Sequence, residues 1–226
     1  MFIPPGRTET ILIRNKAFLL FALAAWVVAG YGCANTPGPG LARGEQIYDS
    51  CVPCHGKAGL GSPLVGAPEI AGLPRWYVIA ELTKFKGAIR GAHPDDVEGA
   101  RMRPMAKSLY RKGDVESVAE YVATLKPVKP EPTLHAGNVA AGQARFTSLC
   151  ITCHGAAAAG TEALGAPPLN HQTDWYMYSQ LHKFRSGMRG ANPADVNGMT
   201  MAAMAKTLPD TTAVLDVIAY IRTLQK

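Results

Sequence analysis

The chain of 226 residues is 47% hydrophobic and 18% charged, with 23 Lys and Arg against 17 Asp and Glu for a formal net charge of +6. Without residues 1–34 the balance falls to 20 against 16, a net of +4, and no aromatic-basic binding module accompanies it. The basic balance therefore makes no case for nucleic acid as a partner.

Residues 1–16 carry Arg7, Arg14 and Lys16 against the single acid Glu9, and an apolar run from Ala17 to Gly32 follows. A basic start before an apolar run is the pattern of a secretory signal or a short membrane anchor. The run, at about 16 residues, is shorter than the roughly 20 that span a bilayer comfortably. Residues 1–34 are thus expected to be a signal or anchor. Two processing routes are open: cleavage after Ala34, at the small residues of Gly32-Cys33-Ala34, or lipidation of Cys33, against which Tyr31 counts. Either route exports the chain to the periplasm, and an anchor or a lipid would hold it to the membrane.

Past the flexible spacer Thr36-Pro37-Gly38-Pro39-Gly40, a first domain is expected over 41–126. Gly44 and Tyr48 open it as a Gly-x-x-x-aromatic pair suited to a close helix crossing. Cys51-Val52-Pro53-Cys54-His55 comes next and returns later as Cys150-Ile151-Thr152-Cys153-His154. This five-residue pattern marks covalent attachment of haem c. Two thiols three positions apart form thioethers to the two vinyl groups of one porphyrin, and the adjacent His is placed beneath the iron. Two covalently bound haems are expected, attached at Cys51 and Cys54 and at Cys150 and Cys153, with His55 and His154 as proximal ligands. A Cys-x-x-Cys pair can also be half of a zinc site or a redox dithiol. Zinc needs four convergent ligands and a thioredoxin-type dithiol needs βαβ flanks; no strand-like alternation surrounds either pair.

A middle helix is expected from Trp76 to Lys86, and again from Trp175 to Arg185; each Trp-Tyr start either walls a haem or packs the core. The two halves match at a constant offset of 99 from Cys51 to Leu125: Gly66-Ala67-Pro68 returns as Gly165-Ala166-Pro167, Lys84-Phe85 as Lys183-Phe184, Asp96-Val97 as Asp195-Val196. This is an internal duplication. A duplicated haem site should hold its sixth iron ligand at the same place in both copies. His93 faces Asn192, His171 faces Gly72, Met177 faces Val78 and Met199 faces Ala100, so these fail. Met102 with Met201, and Met105 with Met204, survive. One methionine of each pair is expected to fill the core, the other to donate its thioether to iron. Met102 and Met201 are the expected ligands, with Met105 and Met204 as the alternative. Matching methionines in both halves also count against a dihaem peroxidase, whose chemistry needs one open iron.

Each half should close on a helix. In the first, Asp114 is expected as N-cap, with Val115, Val118, Ala119, Val122 and Leu125 at helical spacing. In the second, Val214, Val217, Ile218, Ile221 and Leu224 repeat it. Tyr121 and Tyr220 are placed to meet the glycine-aromatic pairs Gly44/Tyr48 and Gly142/Phe146. The three prolines Pro127, Pro130 and Pro132 favour an extended linker over 127–135, with His135 solvated, before a second domain over 136–226. Halves near 90 residues are small for an independent apolar core; a covalent haem would supply what is missing. Arg90, Arg101 and Arg103 are expected at the solvated surface, with pairing to haem propionates or a docking face as the alternatives.

Together these features resemble the dihaem cytochrome c4 family and related tandem class I c-type cytochromes, over about 41–226. The resemblance rests on two small domains in tandem, each with Cys-x-x-Cys-His, a Gly-Ala-Pro loop, a Trp-Tyr-bearing helix and a late Met-x-x-Met segment. It implies an all-α fold of two class I cytochrome c domains joined by a Pro-rich linker. By position it implies thioethers at the four cysteines, His55 and His154 as proximal ligands, and the first methionine of each pair, Met102 and Met201, as distal ligands. It also implies an electron carrier, not an enzyme, with redox proteins as partners: a quinol-oxidising complex or similar donor, and a terminal oxidase or reductase. The same fold could serve as a haem subunit of a larger membrane complex.

Overall fold

The computed structural model describes residues 37–225; the expected signal or anchor, with Cys33, lies outside them. Among the described residues the fold is helical. The extended pairing consists of the isolated bridges Ser62–Ala67 and Thr161–Ala166, one beside each Gly-Ala-Pro loop. The first half runs α1 (Leu41–Tyr48), α2 (Val52–His55), a 3-10 turn (Pro63–Val65), α3 (Arg75–Lys86), α4 (Val97–Lys107) and α5 (Asp114–Thr124). The second half repeats this as α6 (Val139–Arg145), α7 (Ile151–His154), a 3-10 turn (Glu162–Leu164), α8 (Asp174–Ser186), α9 (Val196–Lys206) and α10 (Thr211–Thr223). No described helix is long and apolar enough to cross a membrane.

The repeated crossing of first and last helices organises each half. α1 packs on α5 and α6 on α10. A Cβ on Gly44 would overlap the Ser117 carbonyl, and one on Gly142 the Asp216 carbonyl, so both positions admit only glycine at this approach. The aromatic partner four residues on then stacks against the facing tyrosine: Tyr48 and Tyr121 centroids lie 5.2 Å apart, and Phe146 and Tyr220 5.4 Å. Below the crossing, Val115, Val118 and Val122 of α5 are buried with Ile47 and Leu109, and Val214, Val217, Ile218 and Ile221 of α10 with Phe146 and Leu208. Gly142→Ala should therefore cost about 1–3 kcal/mol, the usual penalty of overpacking. Urea denaturation followed by circular dichroism tests this, with Gly38→Ala, where a Cβ meets nothing, as the silent control.

The duplication slips by one residue just before the second haem motif. Tyr48 stands three positions before Cys51, whereas Phe146 stands four before Cys150. Residues Phe146–Cys150 wind as a π turn. A π turn takes up one extra residue without breaking a helix, so Phe146 keeps its place at the crossing while Cys150 keeps its place at the site.

Two expectations are corrected here. Asp114 is not the N-cap of α5; Gly113, at φ 85°, holds that position, and Asp114 is the first helical residue. Its carboxylate accepts from Arg43 Nε at 2.9 Å and from the Arg111 amide at 3.1 Å, so it ties α1 to the start of α5. Caps of the expected kind do start α4, α9 and α10, where Asp96, Asp195 and Asp210 accept from Gly99, Gly198 and Ala213 amides. Arg90 is not at the solvated surface. It is 8% exposed and lies where the two halves meet.

That meeting is a pseudo-twofold interface built from duplicated positions. Lys84 of α3 pairs with Asp195 at 2.9 Å, and its counterpart Lys183 of α8 pairs with Asp96 at 2.5 Å and Glu98 at 2.7 Å. At the centre, Arg90 bonds Glu81 of its own half, together with Tyr176 Oη at 2.9 Å and Gln180 Oε1 at 3.0 Å across the interface. Arg189 mirrors it, reaching Gln180 at 2.8 Å and Glu81 at 3.0 Å. Each guanidinium also lies over a phenylalanine of its own half, Arg90 over Phe85 and Arg189 over Phe184. The linker is fastened to the second half. Lys129 donates to the Gln225 carbonyl, and the amides of Thr133 and Leu134 donate to the Asp174 carboxylate at 2.8 Å.

Candidate functional site

Both histidines of the Cys-x-x-Cys-His motifs are buried, each ending a single turn of helix. His55 Nδ1 meets the Pro68 carbonyl at 2.9 Å, and His154 Nδ1 the Pro167 carbonyl at 3.0 Å. A carbonyl oxygen only accepts, so Nδ1 must carry the proton and Nε2 presents its lone pair. Burial lowers both histidine pKa values while the carbonyl bond works against it. The outcome is a neutral, oriented imidazole with its outer nitrogen free, the form that ligates metal. The Gly-Ala-Pro loops explain themselves here: they carry the orienting carbonyls.

Cys51, Cys150 and Cys153 are half-buried and Cys54 is exposed, and none of the four is in a disulfide. Burial raises the pKa of Cys51, and pushes Cys150 up to about 11. A redox dithiol needs the opposite shift. Among the described residues no three His, Cys, Asp or Glu side chains converge as a zinc site requires. Covalent attachment of a ligand is what this arrangement suits.

In the second half, Cys150, Cys153, His154, Met201 and Met204 line one cavity of about 240 Å³ whose other walls include Leu149, Leu169, Met177 and Leu181. Apolar walls with few polar groups, two tethering sulfurs and a ring nitrogen fit a porphyrin. Met102 and Met201 are each the sixth residue of an 11-residue helix, α4 and α9. Met201 packs beside buried Phe184, Ala202 and Ala205. Met102 is half-buried, whereas Met105 is 38% exposed.

The cavity also takes walls from the other half. Glu69, Ile70, Leu73, Tyr77, Glu81 and Lys84 reach it across the interface. Of the Trp-Tyr pairs, Tyr77 and Tyr176 line it. Glu69 is 2% exposed, and burial pushes its carboxyl up to about 7 against the bond from the Val128 amide. Apart from the Trp-Tyr tyrosines, none of these was read as a site residue from sequence. The signal available was the retention of Lys84, Arg90 and Asp96 across the duplication, polar positions that a single half does not require.

The cytochrome c family pattern matches residues 41–126 and, separately, 139–225. The chain belongs to the cytochrome c family. It is a dihaem, tandem class I c-type cytochrome, an electron carrier with two covalently bound haems c. It is 32% identical over 179 residues to a thiosulfate dehydrogenase electron acceptor of Thiomonas intermedia, covering 75% of this chain and 77% of that one. A cbb3-type cytochrome c oxidase subunit FixP of Bradyrhizobium diazoefficiens is 29% identical over 73% of this chain and 58% of its own. The solved cytochrome c4 of Acidithiobacillus ferrooxidans superposes with a TM-score of 0.63 at 26% identity, covering 78% of this chain and 99% of that one.

Proposed function

We propose that this cytochrome carries electrons in the periplasm from a dehydrogenase or a quinol-oxidising complex to a terminal oxidase or reductase. The reading is supported by one observation above all: two copies of the same oriented His, tethering Cys pair and Met-bearing helix occur in one chain. Equal, filled sites suit a relay of single electrons. Relatives named for accepting electrons from thiosulfate dehydrogenase and for membership of a cbb3-type oxidase mark the two ends of such a route.

In this reading Cys51 and Cys54, and Cys150 and Cys153, tether the two haems. His55 and His154 would hold the iron through Nε2, and Met102 and Met201 through their thioethers. Each bound haem supplies an iron that cycles between ferric and ferrous. The chain's residues do the rest: the prolyl carbonyls fix the imidazole tautomer, and the apolar walls exclude water. The thioethers favour the reduced iron relative to a second imidazole. The domains proposed for this work are residues 41–126 and 136–226, with 127–135 as linker and 1–34 as the exporting segment, anchored or lipidated at Cys33 if it is retained.

A pyridine haemochrome assay should return two haems c per chain. The reduced, undenatured protein should bind carbon monoxide poorly at neutral pH and turn over peroxide far below the roughly 1 per second of slow enzymes. It should be reduced quickly by a thiosulfate dehydrogenase and oxidised by an oxidase. Fast carbon monoxide binding at one haem, with peroxide turnover at enzymatic rates, would overturn the carrier reading. Co-purification in fixed stoichiometry with oxidase subunits would make it a complex subunit.

A further inference from the structure

The duplication is broken on one face of the first half. On α4, Val97, Arg101 and Met105 follow at i, i+4 spacing and all three are exposed. Arg101 Nη1 donates to the Val65 carbonyl at 2.8 Å, which joins this stripe to the 3-10 turn bearing Leu64, 95% exposed. Beyond the helix, Tyr110 is 77% exposed with Arg111 against its ring, and Lys112 follows. The corresponding positions of the second half keep Val196 exposed, replace Leu64 by Ala163 and Tyr110 by Pro209, and lose the charge. Arg101 is replaced by Thr200, Arg111 by Asp210 and Lys112 by Thr211.

The cations are available. None of Arg101, Arg111 and Lys112 is ion-paired among the described residues. Of the acids nearby, Glu98 is held by Lys183 and Asp114 by Arg43, which leaves Asp95 and Glu116 exposed. The face thus combines an exposed apolar centre with positive groups at three positions where its twin has one negative group and two neutral ones. A small anion would satisfy the charges but leave the apolar centre wet. A protein surface with an apolar patch and carboxylates around it satisfies both.

We infer that the face of the first half formed by Leu64, Val97, Arg101, Met105, Tyr110 and Lys112 docks an acidic redox protein, and that the matching face of the second half does not. The inference rests on the electron-carrier reading and adds to it a direction: acidic partners exchange electrons through the first haem domain. The broken symmetry would let one chain address two partners of different charge at its two ends.

The test uses full-length protein with both haems and a strongly acidic flavodoxin as probe. Affinity is measured by surface plasmon resonance, and the rate of reduction by flavodoxin hydroquinone by stopped flow, each at low and high salt. Arg101→Glu with Lys112→Glu should weaken binding and slow reduction about tenfold or more at low salt, and flatten the salt dependence. Arg111→Glu with Lys112→Glu, which keeps the Arg101–Val65 bond, should do the same. The matched control, Thr200→Glu with Thr211→Glu, should change either by less than about twofold. Equal losses from both halves, no loss from either first-half variant, or capture by phosphatidylglycerol vesicles without flavodoxin binding would each overturn the inference. Haem content and reduction by dithionite are read in parallel. Their failure would count against the carrier reading itself, whereas weak flavodoxin binding with both haems redox-active counts against the docking face alone.

Discussion

Glu81→Ala is expected to destabilise the folded dihaem protein by about 3–5 kcal/mol, the cost of removing one partner from a buried charge cluster. Glu81 is 7% exposed and its carboxylate accepts from Arg90, Arg189 and Lys84. Alanine would leave two buried guanidinium groups facing each other with Gln180 as their shared neutral acceptor. Glu81→Gln keeps an acceptor in place and should cost less. Urea titration followed at the haem absorbance and by circular dichroism measures both; a loss under 1 kcal/mol for the alanine variant would show the interface to be indifferent to its central charge. The cluster also sets an acid limit. Burial alone would raise the Glu81 pKa, but Arg189, Arg90 and Lys84 outweigh it and hold the carboxyl at about 2, below its ordinary 4.5. A carboxyl depressed on folding contributes stability in full above 4.5, and loses it as pH falls through 2. The wild type should therefore weaken between pH 4.5 and 2, and the difference between wild type and Glu81→Gln should shrink over the same window.

Met102→Ala is expected to lower the potential of the first haem by on the order of 0.1 V, a fraction of the roughly 0.8 V that axial ligation spans. A thioether stabilises ferrous iron, and its loss leaves water or a harder donor in the sixth position. The far-red charge-transfer absorbance of ferric His/Met haem should fall by half, since Met201 keeps its own. Met105 is the more exposed of the pair, so Met105→Ala should leave that absorbance and both potentials near wild type. If Met105→Ala removes the band and Met102→Ala does not, the ligand is the second methionine.

Much of this was legible in the chain because its causes are local. The Cys-x-x-Cys-His spacing, the valine spacing of α5 and α10, and the glycines of the helix crossing each act within a few residues of sequence. The fold class, the two haems and the paired Tyr48–Tyr121 and Phe146–Tyr220 contacts could therefore be read from residue order and its repetition. What the sequence could not determine was which surface would be covered. Arg90 looks like any solvated arginine until α8 lies against it, and its partners Tyr176 and Gln180 stand 86 and 90 positions away. The same holds for Lys84 with Asp195 and Lys183 with Asp96. Whether a charge is paired and buried or left in water depends on which element packs over it, and only the tertiary structure decides that.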